Sequence, residues 1–216
     1  MPKFTNIKLF IDENLEEKLR KLDPGYQSFR ILKKSLDARR KDRLHHMYTI
    51  ETYATPQPPP VEFDQVSKLS GENLPMVTVI GAGPAGLFAA LRLVERGIPC
   101  RLLERGKEVT ERMRDISRHW KKGVVHPDSN VCFGEGGAGT FSDGKLITRI
   151  KSPFIKYVMQ QLVRFGAPED ILYLSNPHIG SNKIRKVINK VTHYLMDNGC
   201  EVHYETRADE FIWSDH

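Results

Sequence analysis

Hydrophobic and polar positions follow a regular order in the middle of the chain. Met76–Ile80 is a short uncharged run rich in β-branched residues, which predicts a strand buried on both faces of a parallel sheet. A glycine-rich turn follows, and Pro84–Arg96 has the pattern of a helix that ends at Gly97. Cys100–Leu103 predicts a second strand. The order of strand, turn, helix and strand predicts a βαβ unit.

The same patterns predict a small α+β domain in residues 1–55. Its elements are an apolar run at Ile7–Ile11, a charged helix at Asn14–Leu22 and strands at Ser28–Lys34 and Met47–Tyr53. The sequence TPQPPP (55–60) opens a stretch that stays polar to residue 75, and residues 56–75 are therefore predicted to be a proline-rich linker. A separate N-terminal domain is therefore expected before the βαβ unit.

Alternating helix and strand patterns continue after residue 104. The predicted elements are helices at Glu108–Lys121, Ser152–Gly166 and Asn182–Asn198, and strands at Ile171–Leu174, Glu201–Thr206 and Phe211–Trp213. Residues 76–216 are thus expected to form a Rossmann-type α/β domain. A doubly wound sheet has more strands than these, so we expect the domain to be truncated at its C-terminal side and the chain to belong to a longer protein.

Composition and charge limit the classes of protein to which the chain can belong. The chain has 216 residues, a net charge of +6 and three widely spaced cysteines, without a signal peptide pattern or zinc-ligand spacing. A cytoplasmic protein without a metal site is therefore expected. A membrane span is unlikely because glycines, a proline and flanking charges interrupt the apolar stretch at 77–94. The basic stretch Lys33–Arg43 is either an RNA-binding surface or a solvated hairpin, and the second reading is favoured because no aromatic platform accompanies it.

Gly81, Gly83 and Gly86 form a G-x-G-x-x-G motif between the first predicted strand and its helix. In such motifs the first glycine makes a tight turn, the second lets the backbone approach a pyrophosphate, and the third allows close packing of helix on strand. Glu104 follows the second strand at the distance expected of an acid that binds a ribose hydroxyl. This acid favours FAD or NAD over NADP, because it would repel a 2′-phosphate.

A second glycine-rich run spans Phe133–Leu146 and reads FGEGGAGTFSDGKL. Such a density of glycines predicts a loop whose backbone lies close to another group. Gly139–Lys145 matches most of a phosphate-binding P-loop, but Leu146 stands where serine or threonine is required. A plain surface turn is the other alternative. Close packing against a large flat cofactor is the favoured interpretation.

Five segments together resemble a family of FAD-dependent dehydrogenases whose function is poorly defined. They read KSLDAR (34–39), GAGPAGLFAAL (81–91), ERGKEVTER (104–112), NVCFGEGGAGTFSDGKL (130–146) and NPHIGS (176–181). Members of this family have the glutathione-reductase-like nucleotide fold and an extra N-terminal domain. The resemblance covers essentially the whole chain, and it implies that FAD is the cofactor.

The resemblance also implies a set of binding residues. The glycines of the G-x-G-x-x-G motif would lie at the pyrophosphate, Glu104 at the ribose and Arg112 at the phosphates. The residues that follow the predicted strand Glu201–Thr206 would lie at the adenine. The full set is Gly81, Gly83, Pro84, Ala85, Gly86, Glu104, Arg105, Arg112, Gly134, Gly136, Gly137, Ala138, Gly139, Thr140, Arg207 and Ala208.

With a flavin, hydride chemistry belongs to the cofactor, and the protein supplies orientation and charge. Lys145 is a candidate for stabilising charge at the ring, although pairing with Asp143 is the simpler role. His178 is a candidate proton donor or a structural histidine, and Cys132 is more simply a buried small residue than a redox thiol.

We therefore expect an FAD-dependent oxidoreductase that acts on a small organic substrate, with NAD(P)H as a candidate electron donor and neither nucleic acid nor membrane as a partner. The alternatives are a tRNA-modifying flavoprotein, suggested by the basic stretch, and a non-catalytic fragment that binds no flavin. The sequence leaves the substrate and the oligomeric state undetermined.

Overall fold

The computed structural model describes residues 1–58, 68–69 and 74–213, which form two compact units. The first unit comprises the described part of Met1–Phe63 with Leu146–Gln160 and Pro168–His178. The second comprises the described part of Asp64–Lys145 with Gln161–Ala167 and Ile179–His216. Most of the predicted linker, residues 59–67 and 70–73, lies outside the described residues.

Two segments predicted to belong to the nucleotide-binding domain are therefore part of the first unit. Backbone pairing explains why the second of these segments, Pro168–His178, belongs to the first unit. The Lys34 amide donates to the Tyr173 carbonyl at 2.8 Å, and the Ser175 amide donates to the Lys34 carbonyl at 2.9 Å. Domain boundaries drawn along the chain miss such pairing, because it joins residues far apart in sequence.

The N-terminal part of the first unit is an antiparallel sheet with one helix. Its elements are β1 (Lys3–Phe10), α1 (Leu15–Leu22), β2 (Ser28–Asp37) and β3 (His45–Tyr53), with strand order β1-β3-β2. Asn14 caps α1, because its side-chain oxygen accepts from the Glu16 amide at 2.8 Å. Leu19 and Ile50 are fully buried at the centre of its core. The basic stretch predicted as a solvated hairpin covers the second half of β2 and the exposed connection from β2 to β3.

The second unit is built on a parallel sheet. Its strands are β4 (Val77–Ile80), β5 (Cys100–Leu103) and β6 (Glu201–His203), in the order β4-β5-β6. Its helices are α2 (Pro84–Glu95), α3 (Val109–Lys122) and α5 (Ser181–Asp197), together with the last turn of α4 (Phe154–Arg164), whose first residues belong to the first unit. One face of α5 is buried, with Val187 and Leu195 nearly inaccessible. Within the described ranges, no helix combines the length and the apolar character that crossing a bilayer requires.

Four sequence predictions differ from the structure. Among the described residues, β4 lies at the edge of its sheet and Thr78 and Ile80 are exposed, whereas the sequence predicted a strand buried on both faces. Ile171–Leu174 is not a strand, because a 3₁₀ turn covers Glu169–Leu172 after Pro168. β6 ends at His203 instead of Thr206. Phe211–Trp213 pairs with no strand in the described part of the chain and is exposed. Phe211–Trp213 has an apolar pattern but no neighbouring strand among the described residues, so it lacks the backbone partner that a strand requires.

Candidate functional site

The first glycine-rich turn, Gly81–Gly86, connects β4 to α2. The Gly81 amide donates to the Leu103 carbonyl at 2.7 Å, which ties the turn to β5, and Gly81 has a φ of +92°. A Cβ atom on Gly86 would lie 1.8 Å from the Gly81 carbonyl oxygen. Helix and strand therefore approach so closely here that only glycine fits, as the motif predicts for its third glycine.

Gly83 occupies a different environment. It precedes the first residue of α2, and no heavy atom outside its chain neighbours lies within 4 Å of where its Cβ would be. Among the described residues, the amides of Gly83, Ala85 and Gly86 donate to no group, and Pro84 has no amide hydrogen. The positive end of the α2 dipole adds to these donors. The turn thus presents open space and unpaired amides, which suits a phosphate group.

The second glycine-rich loop, Phe133–Leu146, packs against this turn. The Gly136 amide donates to the Ala82 carbonyl at 2.7 Å. A Cβ on Gly137 would lie 3.0 Å from Pro84 Cδ and 3.4 Å from Gly83 Cα. The two glycine-rich segments therefore run side by side through backbone contacts that larger residues would prevent.

Several residues of this loop have conformations that require glycine. Gly134, Gly136 and Gly137 have φ values of +117°, +78° and +66°. The loop ends in a 3₁₀ turn at Ala138–Phe141, and no helix follows Lys145 directly. A P-loop requires a strand before its glycines and a helix after its lysine, so the P-loop alternative is wrong.

The end of the loop contains both exposed and buried positions. Ala138 and Gly139 are exposed, and their amides donate to no group among the described residues. Thr140 is buried, and its hydroxyl donates to the Glu135 carbonyl at 3.3 Å. Ala138 and Gly139 therefore provide two unpaired amide donors in the loop that packs against the first turn. Thr140 instead stabilises the loop.

The side chain of Arg112 holds the backbone of the second glycine-rich loop in place. Its side chain is fully buried, and its guanidinium donates only to backbone carbonyls among the described groups. The acceptors are the carbonyls of Asn130, Val131, Gly134, Glu135 and Gly137, at 2.6 to 3.2 Å. The predicted contact of Arg112 with phosphate is corrected accordingly, because its donors already hold the loop that faces the first turn.

The buried charge of Arg112 is partly balanced. Burial lowers the pKa of its guanidinium to about 10, while Glu104, Cys132 and Glu135 act in the opposite direction. Glu104 and Glu135 are both nearly inaccessible. The loop thus lies over a small cluster of buried charges of both signs.

Glu104 lies at the end of β5, beside the first turn. Its Oε2 accepts from the Ala82 amide and its Oε1 from the Gly106 amide, each at 2.7 Å. The carboxylate therefore fixes the turn that precedes α2. A carboxylate has about four acceptor positions, so two remain for other donors. The sequence identified the residue but not its two backbone partners.

Arg207, which was predicted to lie near the adenine, and Arg105, another predicted binding residue, both lie close to Asp128. Arg105 donates to Asp128 Oδ1 from Nη2 at 2.6 Å, and Arg207 Nη1 lies 3.8 Å from the same oxygen. The hydrogen bond from Arg105 keeps the pKa of the Asp128 carboxyl below its usual value. The Arg105 guanidinium also lies 4.2 Å from the centre of the Phe133 ring. The exposed residues Arg207 and Ala208 follow a segment whose Thr206 amide donates to the Glu104 carbonyl at 2.9 Å.

Glu135 is a central residue that the sequence reading missed. Its Oε2 accepts from the Val109 amide at 2.6 Å, at the first turn of α3. Its Oε1 accepts from the Tyr204 hydroxyl at 3.0 Å and from the Thr192 hydroxyl of α5. Burial and the nearby Glu135 carboxylate raise the pKa of Tyr204 far above its usual value. The only available signal was an acidic residue placed between glycines.

The two candidate catalytic residues lie in different units. Lys145 Nζ pairs with Asp143 Oδ2 at 2.8 Å, and both side chains are more than half exposed. His178 is exposed and belongs to the first unit. Cys132 is exposed, so the prediction that it is buried is wrong. The Lys145–Asp143 pair is the pairing that the sequence favoured.

Comparison with known proteins agrees with this geometry. A family model described as an FAD binding domain matches residues 75–118, which contain β4, the first turn, α2, β5 and much of α3. An uncharacterized protein of Clostridium beijerinckii is 31% identical over 234 residues, covering 99% of this chain and 44% of that protein. The chain thus spans less than half the length of this relative. Residues 75–118 of this chain are therefore similar to an FAD binding domain, and this similarity supports FAD as the cofactor of the chain.

Proposed function

We propose that the chain is the FAD-binding part of an oxidoreductase that acts on a small organic substrate. One observation carries the proposal. The hydrogen bond from the Gly136 amide to the Ala82 carbonyl aligns two glycine-rich backbones beside the start of α2. Unpaired amides and open space lie together at that point. The FAD-binding match over residues 75–118 supports the same assignment.

The diphosphate is assigned to the first glycine-rich turn. The amides of Gly83, Ala85 and Gly86 would donate to its oxygens, and the dipole of α2 would favour its charge. Ala138 and Gly139 of the second loop would supply further donors toward the flavin. Backbone donors suit this role because they are fixed by the fold and need no side-chain ordering.

The adenosine is assigned to the ends of β5 and β6. Glu104 is anchored by two amides, and its remaining acceptor positions suit ribose hydroxyls. Its negative charge opposes a 2′-phosphate, which favours FAD over NADP at this position. Arg207 and Ala208 would contact the adenine. The strand order β4-β5-β6 with α2 between the first two strands supports a Rossmann-type fold.

Flavin chemistry defines the reaction class. When bound, FAD supplies hydride or electron transfer at its isoalloxazine ring, while the protein provides orientation and charge. Lys145, which pairs with Asp143 in the second loop, is assigned to charge stabilisation. His178 is kept as a candidate proton donor. NAD(P)H is the proposed electron donor.

Anaerobic reduction tests this function directly. The chain is reconstituted with FAD and freed of unbound cofactor, and then NADH or NADPH is added while the flavin absorbance is recorded. We expect one of the two donors to bleach bound FAD much faster than it bleaches the same concentration of free FAD. If neither NADH nor NADPH reduces bound FAD faster than free FAD, the proposed electron donor is contradicted.

A further inference from the structure

The second unit carries a groove of about 730 Å³ that the FAD assignment does not use. Its walls are the second half of α3 and the first turn of α5, and Phe141 of the second glycine-rich loop lies at one end. This volume lies within the range of small-molecule sites. The groove therefore has the size of a ligand pocket.

Charge in the groove has one sign. Its lining includes Arg114, Arg118, Lys121, Lys122 and Arg185, and no acidic residue is among the residues that line it. Several cations that face one cavity raise the local concentration of anions. The ligand that complements this lining is negatively charged.

Aromatic and apolar surface lies beside these cations. Trp120 is 69% exposed, Met113 is 43% exposed, and both line the groove. Large exposed apolar residues beside a polar rim are typical of binding surfaces. An exposed indole offers a flat face on which a ring can stack. The preferred ligand is therefore planar as well as anionic.

Arg185 is held in place at the edge of the groove. Its Nε donates to the Ser181 carbonyl at 3.2 Å, and its Nη2 donates to Asn182 Oδ1 at 2.5 Å. A third nitrogen contacts the Met113 sulfur, and the guanidinium lies 5.7 Å from the centre of the Phe141 ring. Such contacts reduce the entropy that a cation loses when it binds an anion.

We propose that this groove binds a planar aromatic anion, a small molecule whose ring stacks on Trp120 while its carboxylate or phosphate pairs with Arg185. Two kinds of small molecule, aromatic carboxylic acids and nucleotides, combine a flat ring with such an anionic group. The ligand is distinct from the FAD bound at the glycine-rich turn.

Calorimetry with matched probes tests the proposal. The probes are 2-naphthoate, 2-naphthyl phosphate, NADH and the neutral 2-naphthalenemethanol, each titrated into the chain at low ionic strength. We expect the anionic naphthalenes to bind at least about tenfold more tightly than the neutral probe, and added salt to weaken only the anions. Tighter binding of the carboxylate than of NADH assigns the site to carboxylic acids, and the reverse order assigns it to nucleotides. Equal binding of neutral and charged naphthalenes would overturn the proposal.

Two pairs of variants localise the site. Trp120→Ala and Arg185→Gln should each weaken 2-naphthyl phosphate binding about tenfold. Trp213→Ala and Arg96→Gln serve as controls, because both residues are exposed in the same unit and neither lines the groove. All four substitutions are on the surface, and circular dichroism checks the fold. Equal losses in the groove variants and in the controls would contradict the assignment.

Saturation with FAD separates this site from the glycine-rich turn. We expect 2-naphthyl phosphate to bind with the same affinity, within about twofold, in the absence and presence of FAD. Displacement of the probe by FAD would show that the groove belongs to the FAD site and would overturn the inference. The titration of the probe without FAD tests the groove even if the chain does not bind FAD. The proposal for the groove and the proposed function can therefore be contradicted independently.

Discussion

Gly83 and Gly86 lie in the same turn, but the structure gives them opposite environments. Gly86 has no room for a Cβ atom, whereas Gly83 faces open space. The motif in the sequence predicts that both residues are glycine and assigns a reason to each. It does not show how much space surrounds either one, because that depends on where β4 and the second glycine-rich loop come to lie.

Alanine substitutions distinguish these two environments. Gly86→Ala places a Cβ against the Gly81 carbonyl, so α2 must move away from β4, and the free energy of unfolding should fall by about 3 kcal/mol. Gly83→Ala should change it by less than about 1 kcal/mol. Urea denaturation followed by circular dichroism measures both. Similar losses for the two variants would be inconsistent with the packing described for Gly86.

The Arg105–Asp128 pair predicts a specific pH dependence. The folded pKa of Asp128 lies below its ordinary value of 3.8, chiefly because Arg105 donates a hydrogen bond to it. A depressed carboxyl pKa contributes stability at pH values above 3.8, and this contribution is lost as the pH falls through the folded pKa. NMR titration should show the Asp128 pKa moving up toward 3.8 in Arg105→Gln. The shift in Arg207→Gln should be smaller, because Arg207 acts only at longer range.

At the scale of elements, the second glycine-rich loop is held by two buried side chains. Arg112 of α3 donates to loop carbonyls, and Glu135 of the loop accepts from α3, from Thr192 of α5 and from Tyr204 after β6. The sequence predicts the helices and the loop from their periodicity and their glycines. It does not reveal these bonds, because carbonyl acceptors leave no residue signature and their partners lie tens of residues away.

Glu135 variants test this arrangement. Glu135→Ala leaves two buried hydroxyls and the Val109 amide without their acceptor, and we expect it to cost about 3 kcal/mol of stability. Glu135→Gln keeps the shape and one acceptor oxygen, and the hydroxyls can rotate to accept from its amide, so a loss of about 1 kcal/mol is expected. Tyr204→Phe removes one donor and is the matched control. Thermal unfolding should rank the alanine variant as the least stable, and any other order would refute the network.

At the scale of the whole molecule, the βαβ unit was the most predictable part of the chain. Its strands are short apolar runs next to glycines and a helix, so local pattern and tertiary contacts agree. Phe211–Trp213 has an equally apolar pattern but lacks a neighbouring strand among the described residues. The grouping of residues 146–160 and 168–178 with the N-terminal unit depends on long-range pairing. Local periodicity carries no information about such partners.

FAD should stabilise the second unit. Both tryptophans of the chain, Trp120 and Trp213, belong to that unit, so tryptophan fluorescence reports on its unfolding. At an FAD concentration of about 100 times its Kd, we expect the free energy of unfolding to rise by about 2.7 kcal/mol. Riboflavin lacks the diphosphate and the adenosine, and it should raise stability far less at the same concentration. Equal stabilisation by the two flavins would argue against a diphosphate site.

The most direct test of the account is the heat of FAD binding to the chain and to two valine variants. Gly83→Val fills the open space beside the start of α2, whereas Gly25→Val adds a side chain at an unconstrained position of the first unit. We predict that calorimetry will show FAD binding to the parent chain and to Gly25→Val with equal affinity, and to Gly83→Val on the order of 100-fold more weakly. Undiminished FAD affinity in Gly83→Val would contradict the placement of the diphosphate against this backbone.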